Sequence, residues 1–312
     1  MQTLPSLVAT FTILIPWDGS ISVDALLTLA RSMGGTESKL LLLPVTSGHV
    51  DDDGTNHLSS PNQKALVSTW SRLEWLERSD SASTATDIVA TAARRNAELI
   101  IMATSCHADG AVDASCLAGQ LALDSPTPVM VVHVEGEHST ASAPLITRLV
   151  VLADGSARAA QALPLAANLA SRLDAPVRLL MVIDPARVLP PAYAYDPEAS
   201  AEMVARLTGE AHEALTQAER QLTNSGVAVT SELLYGPVIE SIEAAVQLGD
   251  VLVMTTHGLS GATQSQLGSV AARLVADNPG PLVIMRGSHL ASVVATGHYE
   301  RGPFESFSRP TV

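Results

Sequence analysis

The chain repeats its own pattern of apolar segments, and this repeat constrains its fold more than any other feature. Each half contains an apolar run ending in Asp-Gly-Ser, a second apolar run, a helical segment leading into a third run, and a last run after Asp-x-Pro-x-Pro. Self-similarity in a fixed order indicates duplicated structural units. The matching segments are 13–20 with 150–156, 39–45 with 178–182, 88–102 with 242–254, and 124–132 with 277–284.

The apolar runs are continuous rather than alternating, and helical segments separate them. Such runs are typical of strands in a parallel sheet that is covered on both faces. The sequence therefore predicts an α/β fold of two tandem, doubly wound parallel-sheet domains. The length of 312 residues fits two units of about 150 residues, each with its own core. An apolar stripe from Ala201 to Leu222 predicts a long helix whose stripe lies in the core.

The domain limits follow from changes in composition along the chain. We expect one domain over residues 1–136 and the other over 145–287. The segment 135–144 between them is rich in Gly, Ser, Thr and Ala and is typical of a linker. Residues 288–312 lose the pattern, and we expect a loosely ordered tail there.

Charge and composition narrow the classes of function. The chain has 32 acidic and 18 basic residues, for a formal charge of −14. Such a surface repels nucleic acid and anionic lipid, and no apolar run approaches the roughly 18 residues that cross a bilayer. Two cysteines, Cys106 and Cys116, are too few for a disulfide scaffold and favour a reducing compartment. We expect a soluble cytoplasmic protein without nucleic-acid or membrane partners.

A strand, a glycine-bracketed loop and a helix start follow one another after Val251. The apolar run ends at Met254, Gly258 and Gly268 enclose nine residues, and helical spacing begins at Ser269. Glycine can take a positive φ and lets the backbone approach phosphate oxygens closely. The free N–H groups and the dipole of a helix start attract anions. This pattern predicts a phosphate-binding turn.

Asp154 ends the first apolar run of the same half. Ligands of open α/β sheets bind at the carboxyl edge of the strands, where this carboxylate can accept hydrogen bonds from ribose hydroxyls or from the adenine amine. The Asp-Gly-Ser turn has a simpler alternative role, because Ser156 can cap the following helix. Asp18 in the first half has the same alternative.

These motifs resemble the universal stress protein family in its tandem form, over about residues 9–286. The family's signature for adenine nucleotides is Gly, two residues, Gly, nine residues, Gly, then Ser or Thr. Gly258, Gly268 and Ser269 match it, whereas Thr255 stands at the first glycine. The resemblance implies a Rossmann-like fold, similar to adenine nucleotide alpha hydrolases. It assigns nucleotide binding to Asp154, Val182, Met254, Thr255, Gly258, Gly268, Ser269 and Val270.

The resemblance also implies the ligand and the assembly. The cofactor would be ATP or ADP, with or without Mg²⁺, and catalysis would be absent or limited to slow ATP hydrolysis. The main chain of Val182 would read the adenine edge, and Val270 would supply a backbone N–H. Single domains of this family resemble one another in pairing through an edge strand. A tandem chain can form that pair internally as a pseudo-dimer, and a homodimer of chains is a further expectation.

The first half lacks the nucleotide signature. Residues 103–106 and 115–117 align with the loop of the second half but without its glycines, so we expect this half to be structural or regulatory. Cys106, His107 and Cys116 fit no standard zinc spacing. The cluster of His49, Asp51, Asp52, Asp53 and His57 does not have calcium-loop spacing. We expect no metal and no catalytic residue, and a loop-structural role for His257.

Three functions remain open at this point. The first is a cytoplasmic stress-response protein whose second domain binds ATP or ADP as a regulatory ligand and acts on an unknown protein partner. The second is a nucleotide-independent scaffold or interaction module, which Thr255 and the altered first half favour. The third is an enzyme of adenylate or phosphate chemistry, for which the sequence offers neither a general base nor a pair of metal-binding carboxylates.

Overall fold

A computed structural model gives the fold. It describes residues 10–17, 23–45, 70–76, 85–104, 116–133, 146–189, 195–257, 267–277 and 280–287. Several predictions fall outside these residues: the expected linker 135–144, the tail 288–312, the acidic cluster 49–57, Asp18, Cys106, His107 and Gly258.

Strands and helices alternate through the described ranges, as the repeat predicts. The strands are β1 (Thr12–Trp17), β2 (Lys39–Pro44), β3 (Leu73–Trp75), β4 (Leu99–Thr104), β5 (Val129–His133), β6 (Arg148–Ala153), β7 (Val177–Ile183), β8 (Val229–Tyr235), β9 (Asp250–Thr255) and β10 (Leu282–Met285). The helices are α1 (Val23–Gly34), α2 (Ala85–Arg94), α3 (Leu117–Asp124), α4 (Ala162–Leu173), α5 (Pro185–Val188), α6 (Pro197–Asn224), α7 (Val238–Ala245) and α8 (Ser269–Ala276), with a 3-10 turn at Ala159–Gln161.

The strands form one sheet in the order β3-β2-β1-β4-β5-β10-β9-β6-β7-β8. Neighbouring strands are parallel except β5 and β10, which pair antiparallel with Leu282 opposite Val131. The order outward from this junction is therefore the same in both halves. The predicted α/β fold with a parallel sheet is confirmed.

Apolar side chains cover both faces of the sheet. Successive residues of a strand point to opposite faces, so Ile15 belongs to a cluster with α1, α4 and α6, and Leu14 to a cluster with α2, α3, α7 and α8. We call these sides the Ile15 face and the Leu14 face. Each cluster includes residues of both halves, for example Val151 on the Ile15 face and Val150 on the Leu14 face. The expectation of one core per half is wrong, because the β5–β10 pairing makes the sheet faces continuous.

On each face of the sheet, a helix of the first half contacts a helix of the second half. On the Ile15 face α1 packs against α4, and the Arg172 guanidinium lies 4.1 Å from the ring centre of Phe11. On the Leu14 face α3 contacts α8. Phe11 is only 3% exposed, so the aromatic partner of this cation–π contact is shielded from water.

Helix α6 is the long helix that the apolar stripe predicts. Asp196 caps its start by accepting a hydrogen bond from the Ala199 N–H. Its buried residues are Leu207, Ala211, Leu215 and Leu222, whereas Ala201 at the beginning of the expected stripe is exposed. A helix of 28 residues is about 42 Å long, and a seven-residue strand about 23 Å. The first turns therefore extend past the sheet, which corrects the prediction for Ala201.

None of the helices in the described ranges has both the length and the apolarity that a membrane span needs.

An ion pair joins β6 and β9 at the amino edge of the sheet. Arg148 donates from Nε and Nη2 to the two carboxylate oxygens of Asp250, at 2.9 and 2.7 Å, and the Gln247 N–H donates to the same carboxylate. Asp250 is 3% exposed. The hydrogen bond to Asp250 raises the pKa of Arg148. This pair lies at the edge opposite to the predicted ligand site.

Candidate nucleotide-binding site

Three adjacent strands of the second half end at one edge of the sheet. The β6–β9 register includes Val151 opposite Val253, and the β6–β7 register ends with Ala153 opposite Met181. Parallel strands present their carboxyl ends at the same edge. The turn at Asp154, the end of β7 at Val182 and the end of β9 at Thr255 therefore lie side by side, as the sequence predicts.

The Asp154 turn has the geometry of a side-chain-stabilised turn. The Ser156 N–H donates to Asp154 Oδ1 at 3.0 Å, and Gly155 between them has a φ of 78°. Ser156 Oγ accepts from the Ala159 N–H at 3.0 Å and so caps the 3-10 turn. Ser156 thus binds the 3-10 turn and not the helix that we expected it to cap, because α4 begins at Ala162 with Gln161 as its N-cap and without a side-chain cap hydrogen bond. The same turn fixes the position of the Asp154 carboxylate, which is half-buried.

Val182 presents a main-chain carbonyl to this edge. The Ile183 carbonyl accepts from the Gly236 N–H on the β8 side. Adjacent residues in a strand direct their main-chain groups to opposite sides, so the Val182 carbonyl points toward β6. The β6–β7 register stops at Met181, one residue earlier. This carbonyl therefore lies beyond the last paired residue of β6, next to the Asp154 turn.

The exit from β9 is buried and held by hydrogen bonds. The Thr256 N–H donates to the Met285 carbonyl at 2.9 Å, and the Thr255 hydroxyl donates to the His257 carbonyl at 2.9 Å. Thr256 Oγ1 and His257 Nδ1 are 2.9 Å apart. These three residues are 8% exposed or less. The contacts are consistent with the structural role that we expected for His257.

Gly268 connects this strand exit to helix α8. Its N–H donates to the Thr256 carbonyl at 3.0 Å, and a Cβ at this position would lie 3.2 Å from that carbonyl oxygen. Its φ is −58°, so this glycine does not use the positive φ that glycine allows. A side chain here would crowd the Thr256 carbonyl, because the helix start packs directly against the main chain of the strand.

Helix α8 begins at Ser269, as predicted, with Gly268 as its N-cap. No side chain in the described ranges caps this end. Ser269 is exposed and Val270 is half-buried. Unbonded N–H groups of a first turn attract an anion. The Gly268–Thr256 hydrogen bond places this helix start beside the end of β9.

Two predicted residues lie below the edge with their side chains in the core. Met254 and Val270 both pack in the apolar cluster of the Leu14 face, together with the side chain of Val182. They can line the apolar side of a ligand but offer it no polar side-chain group. Gly258, the remaining predicted residue, is outside the described ranges.

Next to this edge lies a groove that the sequence did not predict. It has a volume of about 350 Å³ and lies between the end of β7 and helices α7 and α8. Asp184, Arg187 and Arg273 border it. The spacing of Arg273 four residues after Ser269 would have placed both on one side of α8. Asp184 and Arg187 follow β7 in a Pro-containing segment that has no periodicity to interpret.

In the described part of the first half, apolar side chains line a small cavity at the corresponding edge. Helix α3 begins after Cys116, which takes the N-cap position that Gly268 has in α8. The cavity there is about 20 Å³, with Trp17, Met102 and Leu117 in its wall. Trp17 also packs edge-to-face on Trp75, with ring centres 6.2 Å apart. A space of this size holds about one water molecule.

The described ranges contain no group of three or more His, Cys, Asp or Glu side chains placed to hold a metal ion. Of the three residues considered for zinc, only Cys116 is described, and it is half-buried.

The comparisons with known proteins agree on one family. The sequence profile of the Universal stress protein family matches residues 146–286. A universal stress protein of Methanocaldococcus jannaschii is 31% identical over 145 residues, which make up 46% of this chain and 83% of that relative.

Two solved structures extend the similarity of fold to most of the chain. A universal stress protein from Archaeoglobus fulgidus DSM 4304 matches with a TM-score of 0.58 and 16% identity, over 89% of this chain and 98% of its own. A functionally unknown protein from Pseudomonas aeruginosa PAO1 matches with a TM-score of 0.58 and 17% identity, over 89% of this chain and 93% of its own. At these identities the structures bear on the fold alone, while the profile and the archaeal relative show that the chain belongs to the universal stress protein family.

Proposed function

We propose that the second half of the chain binds ATP or ADP at the carboxyl edge of β7, β6 and β9. The nucleotide acts as a ligand that sets the conformation or the partner affinity of a cytoplasmic stress-response protein. The observation that supports this most is the order of groups along the edge. The Val182 carbonyl, the Asp154 carboxylate and the start of α8 follow neighbouring strands in that sequence.

The order of these groups matches the chemistry of a nucleotide from base to phosphate. A carbonyl such as that of Val182 accepts from the amine of adenine. A carboxylate such as that of Asp154 accepts from ribose hydroxyls. The N–H groups at the start of α8 and the Ser269 hydroxyl donate to phosphate oxygens. A reversed ligand would bring phosphate beside the Val182 carbonyl oxygen, whose partial negative charge repels it.

The proposed role is that of a binding protein rather than an enzyme. His257 is the one histidine beside the proposed phosphate position in the described ranges, and it is 8% exposed with Nδ1 next to the Thr256 hydroxyl. A general base must reach the proton that it removes. Burial against the strand exit favours a structural role for this imidazole, and we propose at most slow ATP hydrolysis.

We propose that the first half supports the second without binding nucleotide. The cavity beside Trp17, Met102 and Leu117 has a volume of about 20 Å³, far below the several hundred Å³ of typical ligand pockets. The antiparallel β5–β10 pairing supports an internal pseudo-dimer, in which each half covers the sheet edge of the other. The stoichiometry should therefore be one nucleotide per chain.

Calorimetric titration of the purified protein with ATP and ADP tests the proposal. We expect a 1:1 complex whose affinity falls at least tenfold in the double variant Asp154→Asn, Ser269→Ala. Ser231→Ala is the matched control, because Ser231 is an exposed serine on the edge strand β8. Absence of adenine-nucleotide binding, or equal affinity of the wild type and the double variant, would refute the proposal.

The scaffold alternative has a separate readout. A nucleotide-independent interaction module should release no bound nucleotide when the purified protein is denatured. Its affinity for a protein partner should not change when ATP is added. Recovery of an adenine nucleotide from the denatured protein contradicts it.

A further inference from the structure

Thr255 is the one described residue at which the loop departs from the nucleotide signature of the family. A glycine in this place would have no side chain. Here the Thr255 hydroxyl donates to the His257 carbonyl at 2.9 Å, and both residues are buried, at 4% and 8% exposure. The hydrogen bond spans two residues at the point where the chain leaves β9 for the loop.

The surroundings of Thr255 are fitted to its side chain. Thr255 follows Val253 on the Ile15 face of the sheet, where the end of β10 passes close by. A Cβ on Gly287 would lie 3.8 Å from the Thr255 Cβ and 3.7 Å from the Arg158 Cβ. The threonine therefore occupies space beside a glycine of the neighbouring chain segment. These distances are ordinary van der Waals contacts, so the threonine side chain fits at this position without crowding the segment after β10.

The direction of the His257 carbonyl matters for an anion. A carbonyl oxygen carries a partial negative charge and repels phosphate, whereas main-chain N–H groups attract it. A short loop that binds phosphate must therefore turn its carbonyls away from the ligand. The Thr255 hydroxyl holds the His257 carbonyl at the strand exit and occupies that oxygen as a hydrogen-bond acceptor.

We infer that Thr255 is a positioning residue of the phosphate loop, which holds the His257 carbonyl through its hydroxyl and thereby favours nucleotides that carry phosphate. The inference rests on the proposed nucleotide function and adds a determinant of ligand selectivity to it. Thr255 acts through His257 and does not touch the ligand.

The test compares four proteins: the wild type, Thr255→Val, Thr255→Ser and Thr255→Gly. Valine keeps the shape and removes the hydroxyl, serine keeps the hydroxyl, and glycine restores the residue of the family signature. Each is titrated with ATP and with adenosine, and its thermal unfolding is recorded. Thr91→Val is the matched control, since Thr91 is a buried threonine of α2 whose hydroxyl accepts a hydrogen bond from Arg94.

We expect Thr255→Val to lower the affinity for ATP about tenfold, because one hydrogen bond is lost and a buried acceptor is left unpaired. Adenosine affinity should change by less than about twofold, because adenosine has no phosphate. Thr255→Ser should match the wild type, Thr255→Gly should bind ATP no better than Thr255→Val, and Thr91→Val should change neither affinity.

The outcomes separate the inference from the function on which it rests. A wild type that binds neither ligand refutes the proposed function and the inference together. A wild type that binds ATP refutes the inference alone if Thr255→Val binds ATP equally well, if it loses ATP and adenosine in the same proportion, or if Thr255→Gly binds ATP more tightly than the wild type.

Discussion

Replacing Ser269 by aspartate at the start of α8 should change the stability of the protein and its affinity for ATP in opposite directions. Ser269 is exposed, is the first residue of the helix, and follows an N-cap glycine that supplies no side-chain cap. An aspartate there lies beside the N–H groups of the first turn, which have no acceptor within the helix. Negative charge at a helix start stabilises the helix by about 0.3–1 kcal/mol. Ser269→Asp should therefore make the ligand-free protein slightly more stable.

The same carboxylate should oppose the phosphates of ATP. Two like charges about 5 Å apart repel by ~0.8 kcal/mol in bulk water and by about 3 kcal/mol at an effective dielectric constant near 20. Because Ser269 is exposed, the lower part of this range applies, about 1–2 kcal/mol. This corresponds to a rise in the Kd for ATP of roughly fivefold to thirtyfold. Adenosine lacks phosphate and should bind with unchanged affinity.

Ser269→Asn is the control, because asparagine has nearly the shape of aspartate and no charge. Urea unfolding measures the stability of both variants without ligand, and calorimetry measures the Kd for ATP and adenosine. Compared with Ser269→Asn, the Ser269→Asp variant should have higher stability and weaker ATP binding. Equal ATP affinity of the two variants would show that phosphate does not approach the start of α8. A parallel loss of stability and affinity would show a damaged fold instead.

Three further predictions concern the fold at the site and elsewhere in the sheet. Gly155→Ala should lower the free energy of unfolding by about 1–2 kcal/mol and weaken ATP binding, because the φ of 78° that holds the Asp154 turn strains any other residue. Urea unfolding and calorimetry measure these two effects. The control is Gly209→Ala, which has open space inside α6 and should stabilise the protein. Arg148→Met should lower the free energy of unfolding by about 3–5 kcal/mol, because it leaves the buried Asp250 carboxylate without its cation; an unchanged urea midpoint would contradict this. The pKa of Glu74 is lowered, chiefly by a hydrogen bond from Lys39. The stability that this carboxylate contributes at neutral pH should therefore be lost as the pH falls through the lowered pKa. Between neutral and acid pH, the urea midpoint of Glu74→Gln should fall less than that of the wild type.

The sequence predicted the elements with strong apolar patterns. Val251–Met254 lies within β9, and the helical spacing after Gly268 became α8 with its start at Ser269. The α/β fold followed because continuous apolar runs suit only a sheet that is covered on both faces. Edge strand β8 was missed because its residues are only half-buried or exposed, so it has no continuous apolar run.

The parts of the site that the sequence did not predict depend on contacts between distant segments. The glycine at 268 is explained by the Thr256 carbonyl 3.2 Å from a would-be Cβ, and the identity of that neighbour is not visible in local spacing. The expectation of one core per half failed for the same reason, since no local pattern shows that β5 and β10 pair. The hydrogen bond from Thr255 to His257 spans only two residues, yet sequence comparison treats Thr255 simply as a departure from a motif.

The antiparallel pairing of β5 with β10 has a consequence for assembly. Two separate halves would meet in a bimolecular reaction, and the fraction paired would depend on protein concentration. A covalent connection converts this to an intramolecular step with an effective concentration in the millimolar range for a short linker. The ten-stranded sheet should therefore persist at dilutions where a pair of separate domains would dissociate. A chain cut between residues 133 and 146 should regain that dependence on concentration, since noncovalent contacts, which in the described ranges run through β5, β10 and the packing on both faces, would then hold the fragments together.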